Sequence, residues 1–213
     1  MTHRFLYDAN LLCLDLVNTV QIRGEQVVDL LEDFTSVVWW LVGAGVLDRH
    51  RALSVLSEWR GSQAELETYQ TALALRHATI RIADRMREGR PVQQDDLAPV
   101  NAVLASRPLV DAVVAASDGY QRVTRPVSDH PAGLLGPVAD SVARLVVELD
   151  PKRVGRCGSS DCILYFYDTT KNRGRRWCSM ERCGNRAKAA AHYARGRRGG
   201  APPSGRAGGR RRS

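Results

Sequence analysis

Cys157, Cys162, Cys178 and Cys183 stand in a C-x4-C-x15-C-x4-C array, and this pattern restricts the fold more than any other feature of the chain. Two close cysteine pairs separated by a hairpin-sized insert suit a tetrahedral thiolate site, for which Zn2+ is the expected ion. Four protein sulfurs leave no open coordination position, so such a site stabilises structure and does not activate water. An iron–sulfur or redox-responsive thiolate centre is the alternative for the same spacing. Asp8 and Asp15 interrupt the stretch where a secretory apolar region would lie. A cytoplasmic, reducing setting is therefore expected, with a metal module favoured over a disulfide framework.

Charge divides the 213 residues unevenly. Residues 1–150 carry 14 Arg, no Lys and 20 acidic residues, net −6; residues 151–213 carry 17 basic and 3 acidic residues, net +14. A basic surface confined to one end implies a polyanionic partner there, and nucleic acid is the obvious one. Docking onto the acidic part of the same chain is the competing way to relieve that repulsion. The longest apolar run, Val37 to Leu47, is too short to span a bilayer, so a soluble protein without a membrane partner is expected.

The first 150 residues read as mainly helical. Asn10 is placed to cap a buried helix through Leu11–Val17, in which Cys13 fills core. Asp33 or Thr35 caps a second, ended by Gly43 and Gly45, whose Trp39 and Trp40 are expected to anchor the core. A long helix spans Gln63 to Glu88, with Leu66, Tyr69, Leu73, Ile80 and Ala83 on its apolar face, and Gly89-Arg90-Pro91 ends it. Asp95–Leu104 forms another. Leu109–Ala115 and Tyr120–Val127 flank Ser117-Asp118-Gly119 as a β-hairpin. Pro137 opens a helix with Val138, Val142, Leu145, Val146 and Leu149 on one face. The fold class is α+β: a mainly helical N-terminal domain with a small β-hairpin, and a C-terminal treble-clef-like zinc finger. The expected divisions are 1–150, 151–196 and, from the Gly/Pro/Ser/Arg composition, a disordered basic tail at 197–213.

Within the cysteine module, Ile163–Tyr167 is a β-prone run, Asp168–Gly174 a turn, and Arg175–Trp177 the return to Cys178, a hairpin between two half-sites. Ser179 is placed to cap a helix that carries Cys183 in its first turns. Cys183, Ala187, Ala190 and Ala194 share one face of it, which lets the helix approach the metal core and Trp177. Lys171, Arg173, Arg175 and Arg176 on the hairpin, with Arg182, Arg186, Lys188 and Arg195 on the helix, are the candidate DNA contacts. Cys183→Ser is expected to unfold the finger and leave the N-terminal domain largely folded.

Cys183-Gly184-Asn185-Arg186, preceded by Arg176-Trp177-Cys178-Ser179-Met180 and followed by Ala187-Lys188, resembles the signature of the bacterial CGNR zinc-finger family. The likeness extends back through Asp168–Arg173 to Cys157. Leu14-Asp15-Leu16-Val17-Asn18-Thr19 and Trp40-Leu41 look like the ABATE domain that precedes this finger. The resemblance implies a stress-responsive transcription regulator whose finger binds DNA and whose four cysteines hold zinc. Asp15 and Asn18, in the ABATE motif, are candidate ligand-binding residues, or else members of a helix cap or buried hydrogen-bond network.

The leading reading is a DNA-binding regulator with an N-terminal domain that senses a small-molecule effector or forms a homodimer. The alternative is a zinc-stabilised RNA-binding or protein-interaction adaptor, with Tyr165, Phe166 and Tyr167 stacking on bases if exposed. An enzyme is not expected: the five histidines are scattered, and no phosphate loop or nucleophile motif accompanies them.

Overall fold

The structure is a computed structural model that describes residues 5–107, 109–126 and 131–199. Helix α1 (Leu12–Val17) is buried from Cys13 to Val17. Asn10 does not cap it, contrary to expectation: Leu11 holds the cap position without a side-chain bond. Asn10 instead turns to φ +67, and its Nδ2 donates to the Tyr167 carbonyl at 2.9 Å. A backbone acceptor from the far end of the chain outcompetes the local helix.

An antiparallel hairpin follows, β1 (Val20–Arg23) and β2 (Gln26–Asp29), turned by Gly24 at φ +64. Helix α2 (Phe34–Gly43) starts on a capping box: Asp33 accepts from the Ser36 N–H at 2.7 Å while the Ser36 hydroxyl accepts from the Asp33 N–H. Only Trp40 of its two tryptophans is core; Trp39 lies half-buried at the surface. Helix α3 (Arg49–Glu58), capped by Asp48, packs Ala52 and Val55 against Phe34 and Val38 in a satellite cluster.

Helix α4 (Gln63–Arg87) is the longest element and runs through the main core. Its buried stripe is Thr68, Ala72, Leu75, Ala78, Thr79, Ile82, Ala83 and Met86. Of the face expected from hydrophobicity only Ala83 is buried; Tyr69, Leu73 and Ile80 flank the stripe and Leu66 is exposed. Alanine and threonine carry little weight in an apolar pattern, yet here they supply much of the buried face. Arg76 of α4 grips Asp29 of β2 with two bonds of 2.6 Å, and Asp96 of α5 (Gln94–Ser106) accepts from Arg81 and Arg85 of α4.

Strands β3 (Leu109–Ala116) and β4 (Gly119–Pro126) form the expected hairpin, paired from Leu109↔Pro126 to Ala116↔Gly119. Helix α6 (Gly136–Val147) begins with Pro137 in its first turn and buries Val138, Val142 and Leu145 as its spacing predicts, with Val146 and Leu149 partly buried.

Strands β5 (Val154–Arg156) and β6 (Tyr165–Tyr167) pair antiparallel. The expected hairpin is thus corrected: β6 pairs with the segment before Cys157, and residues 175–177 return as loop. Val154, Tyr165 and Tyr167 enter the same core as α1, α4 and α6, so the module is welded to the helical body. A π-helical turn, Met180–Gly184, leads into α7 (Asn185–Gly199). Residues 197–199, expected to begin the tail, continue this helix; the remainder of that tail lies outside the described residues.

No helix among the described residues is long and apolar enough to cross a membrane.

Candidate metal centre

The four sulfurs come together from three short pieces of chain. Cys157 directly follows β5, Cys162 lies in the β5–β6 loop, Cys178 ends the return loop and Cys183 sits inside the π turn. All four Sγ atoms lie within 4.8 Å of one another, with Cys162–Cys178 at 3.7 Å and Cys178–Cys183 at 3.5 Å. A tetrahedron of sulfurs around zinc has edges of about 3.8 Å, so the donor set fits the ion in both chemistry and spacing. The Cys162 sulfur and burial push the Cys178 thiol well above the ordinary range. Sulfurs packed this closely are deprotonated together only around a cation. The Arg186 guanidinium donates to the Cys183 Sγ at 3.3 Å.

Backbone bonds build the knuckle. The Cys157 N–H donates to the Leu164 carbonyl at 2.8 Å and the Gly158 N–H to the Arg176 carbonyl at 2.9 Å, which joins the two halves of the site. The Cys183 and Gly184 N–H groups both donate to the Ser179 carbonyl, and Ser179 makes no side-chain cap bond. A Cβ on Gly184 would meet Met180 Sδ at 2.6 Å, so glycine is needed for the turn to close on Met180.

One arginine ties the whole assembly. Arg175 donates to the carbonyls of Asp8 (2.8 Å), Trp177 (3.1 Å) and Cys178 (2.5 Å), and its guanidinium lies 4.5 Å over the Phe166 ring. Asp168 accepts from the Arg175 N–H at 2.9 Å and the Thr170 N–H at 2.8 Å. Burial alone would raise its carboxyl, but these bonds and the Arg153 charge hold it below the usual carboxylate range.

Residues 153–196 match the CGNR zinc finger, and residues 10–148 match the ABATE domain, a family described as "Putative stress-induced transcription regulator". The chain belongs to the ABATE family. No curated protein matches it. The two matches follow the order that the resemblance implied, and the two families are of regulator and zinc-finger type.

In this ABATE protein the finger is docked on the helical domain through β6. One edge of β6 pairs with β5; the other is covered by Ala9 and by Asn18 of the ABATE domain. The Tyr167 N–H donates to the Ala9 carbonyl at 2.8 Å, and the Asn18 carboxamide exchanges two bonds with the Tyr165 backbone. Asn18 is 1% exposed and Asp15 accepts from the Ala9 N–H at 2.9 Å. The two candidate ligand residues therefore take part in the buried hydrogen-bond network beside the finger. The Tyr165 hydroxyl donates to Asp84 of α4 at 2.9 Å.

The candidate DNA contacts separate into three groups. Arg175 is consumed by the carbonyls above, Arg182 pairs with Asp8 at 2.6 Å, Arg173 pairs with Asp150 at 2.9 Å, and Arg186 serves Cys183. Lys171, Arg176 and Lys188 are exposed and border one cleft of about 710 Å³ beside the cysteines, with Trp177 and Met180 in its lining. Arg176 stacks on the Trp177 ring at 5.4 Å. The side chain of Arg195 lies outside the described residues. The alanine stripe of α7 does not pack on the metal core: Ala187 is half-buried, Ala190 and Ala194 are exposed, and the helix projects past its first turn. Tyr165, Phe166 and Tyr167 are all buried, so this run offers no stacking platform for bases.

Asp8, Asn10 and Arg153 were not legible as site residues. Asp8 pairs with Arg182, Asn10 holds Tyr167, and Arg153 donates to the carbonyls of Asp168 and Thr170. Their partners lie 15 to 174 positions away in the chain, and no spacing rule connects such pairs.

Proposed function

We propose that this protein is a DNA-binding transcription regulator that acts in the cytoplasm. Cys157, Cys162, Cys178 and Cys183 hold a structural zinc ion, and the ABATE domain serves as the effector-sensing module. The observation that carries the reading is the cleft bordered by Lys171, Arg176 and Lys188 beside the cysteines. Three cations with no ion pair to a carboxylate among the described residues suit phosphates, while Trp177 and Met180 give the cleft an apolar lining suited to sugar or base edges. Zinc supplies rigidity here and no chemistry: with four sulfurs around it, no position remains for substrate.

Burial of the Tyr165–Tyr167 run removes the feature that favoured single-stranded RNA, and duplex DNA is the ligand supported. Binding of the full chain to genomic DNA fragments should weaken steeply with salt. Replacing Lys171, Arg176 and Lys188 together by Gln should reduce the slope of log K against log salt by about 3, one for each phosphate no longer neutralised. Salt-independent binding, or an unchanged slope in the triple variant, would remove the cleft from the interface.

A further inference from the structure

The N-terminal strap, residues 5–10, touches two places. At its start, Phe5 and Tyr7 pack on α2, where the Tyr7 hydroxyl donates to the Trp40 carbonyl at 3.0 Å and the ring lies so close over Gly43 that no Cβ would fit. At its end, Asp8 pairs with Arg182 and accepts from Arg175 through its carbonyl, while Ala9 bonds β6. Along α2 the strap borders a cleft of about 690 Å³, within the size range of small-molecule sites. Three aromatic rings, Phe5, Tyr7 and Trp39, line it.

The charges of the cleft are arranged along its length. Arg49 lies 5.6 Å over the Trp39 ring and, among the described residues, pairs with no carboxylate. Glu32 and Asp33 line the cleft near the start of α2, and Trp39 lies six positions after Asp33, about 9 Å along the axis. Flat aromatic walls, a cation at one end and carboxylates at the other are complementary to a flat ring with an anionic group at one end and a hydrogen-bond donor at the other.

We propose that this cleft binds an aromatic carboxylate bearing a hydroxyl or amino group, with its carboxylate on Arg49 and its ring against Trp39, Phe5 and Tyr7. The proposal rests on the reading of the ABATE domain as an effector-sensing module and names the effector's chemical class. Binding reaches the finger along the strap. Tyr7 and Asp8 are adjacent residues, and consecutive Cα atoms are held about 3.8 Å apart. A ligand that shifts the Tyr7 ring therefore moves the Asp8 carboxylate against Arg182.

The probe is 4-hydroxybenzoate, titrated at millimolar concentrations into the zinc-loaded full chain and followed by heteronuclear NMR. Phenol and cyclohexanecarboxylate serve as comparators, each lacking one half of the recognised pattern. The expected result is a shift of the Trp39 indole and Gly43 amide, weaker with both comparators, and a second set of shifts at Asp8 and Arg182. Arg49→Gln, at an exposed position, should weaken binding about tenfold through loss of one charge-assisted hydrogen bond. No shift at Trp39, equal binding of cyclohexanecarboxylate, or full affinity in Arg49→Gln overturns the site. Shifts confined to the cleft overturn the coupling along the strap. None of these readouts involves DNA, so their failure is distinct from a failure of the finger to bind DNA.

Discussion

The Asn18 side chain completes the backbone bonding of Tyr165: its Nδ2 donates to the Tyr165 carbonyl at 2.9 Å and its Oδ1 accepts from the Tyr165 N–H at 2.8 Å. A single carboxamide thus stands in for a neighbouring strand on the open edge of β6. Asn18→Ala leaves one buried donor and one buried acceptor without partners, and the expected loss of stability is on the order of 3 kcal/mol. Urea denaturation at neutral pH measures it; a loss below about 1 kcal/mol would mean that water reaches the Tyr165 backbone.

Because Val154, Tyr165 and Tyr167 share the core with α1, α4 and α6, the metal stabilises more than the finger. The expectation of an independent module is revised accordingly: Cys183→Ser, or removal of zinc by a chelator, should lower the unfolding midpoint of the whole body in one transition. Hydrogen exchange of the α4 amides is the measurement. If α4 keeps its full protection while the finger amides lose theirs, the two parts unfold separately and the revision is wrong.

Asp15 makes the joint between strap and finger sensitive to pH. Burial, foremost, and the Asp8 charge push its carboxyl up to about 7, against the Ala9 N–H bond and the Arg175 charge; Tyr7 also faces it. In the unfolded chain the same group titrates near about 3.9. Between these values the native state holds a proton that the unfolded state has lost, so this group's contribution to stability falls as pH rises from about 4 to 7 and is level above that. Asp15→Asn, which still accepts from Ala9, should remove that fall. Unfolding free energies of both proteins across this range give the difference, in which the pH dependence of zinc binding cancels; parallel curves would exclude Asp15 as its source.

How far the sequence could be read depended on the range of the interaction. Helices with strong caps and clean stops, such as α2 behind Asp33 and α4 before Gly89, are local events, and the sequence marks them. The cysteine cluster was legible because metal ligands obey a spacing rule that survives folding. The strand partner of β6 was not, since Ile163–Tyr167 has a plausible return segment at 175–177 and only the three-dimensional path of Arg175, drawn toward the Asp8 carbonyl, takes that segment out of the ladder. Basic residues on the module likewise look alike in one dimension. Arg182 and Lys188 differ only in that one of them finds Asp8.

That pairing carries the last prediction. Asp8 and Arg182 are each a little over a third exposed, and their 2.6 Å contact should contribute less than about 1 kcal/mol to folding. Its larger effect is to withdraw one cation from the surface that also presents Lys171, Arg176 and Lys188. Asp8→Asn should therefore leave the unfolding midpoint nearly unchanged while DNA affinity rises at low salt and the salt slope steepens by about 1, the increment of one further phosphate. The gain should vanish in the double variant Asp8→Asn/Arg182→Gln, because the freed guanidinium is then gone. An equal gain in the double variant would trace the effect to the removed negative charge alone, and Arg182 would have no part in DNA binding.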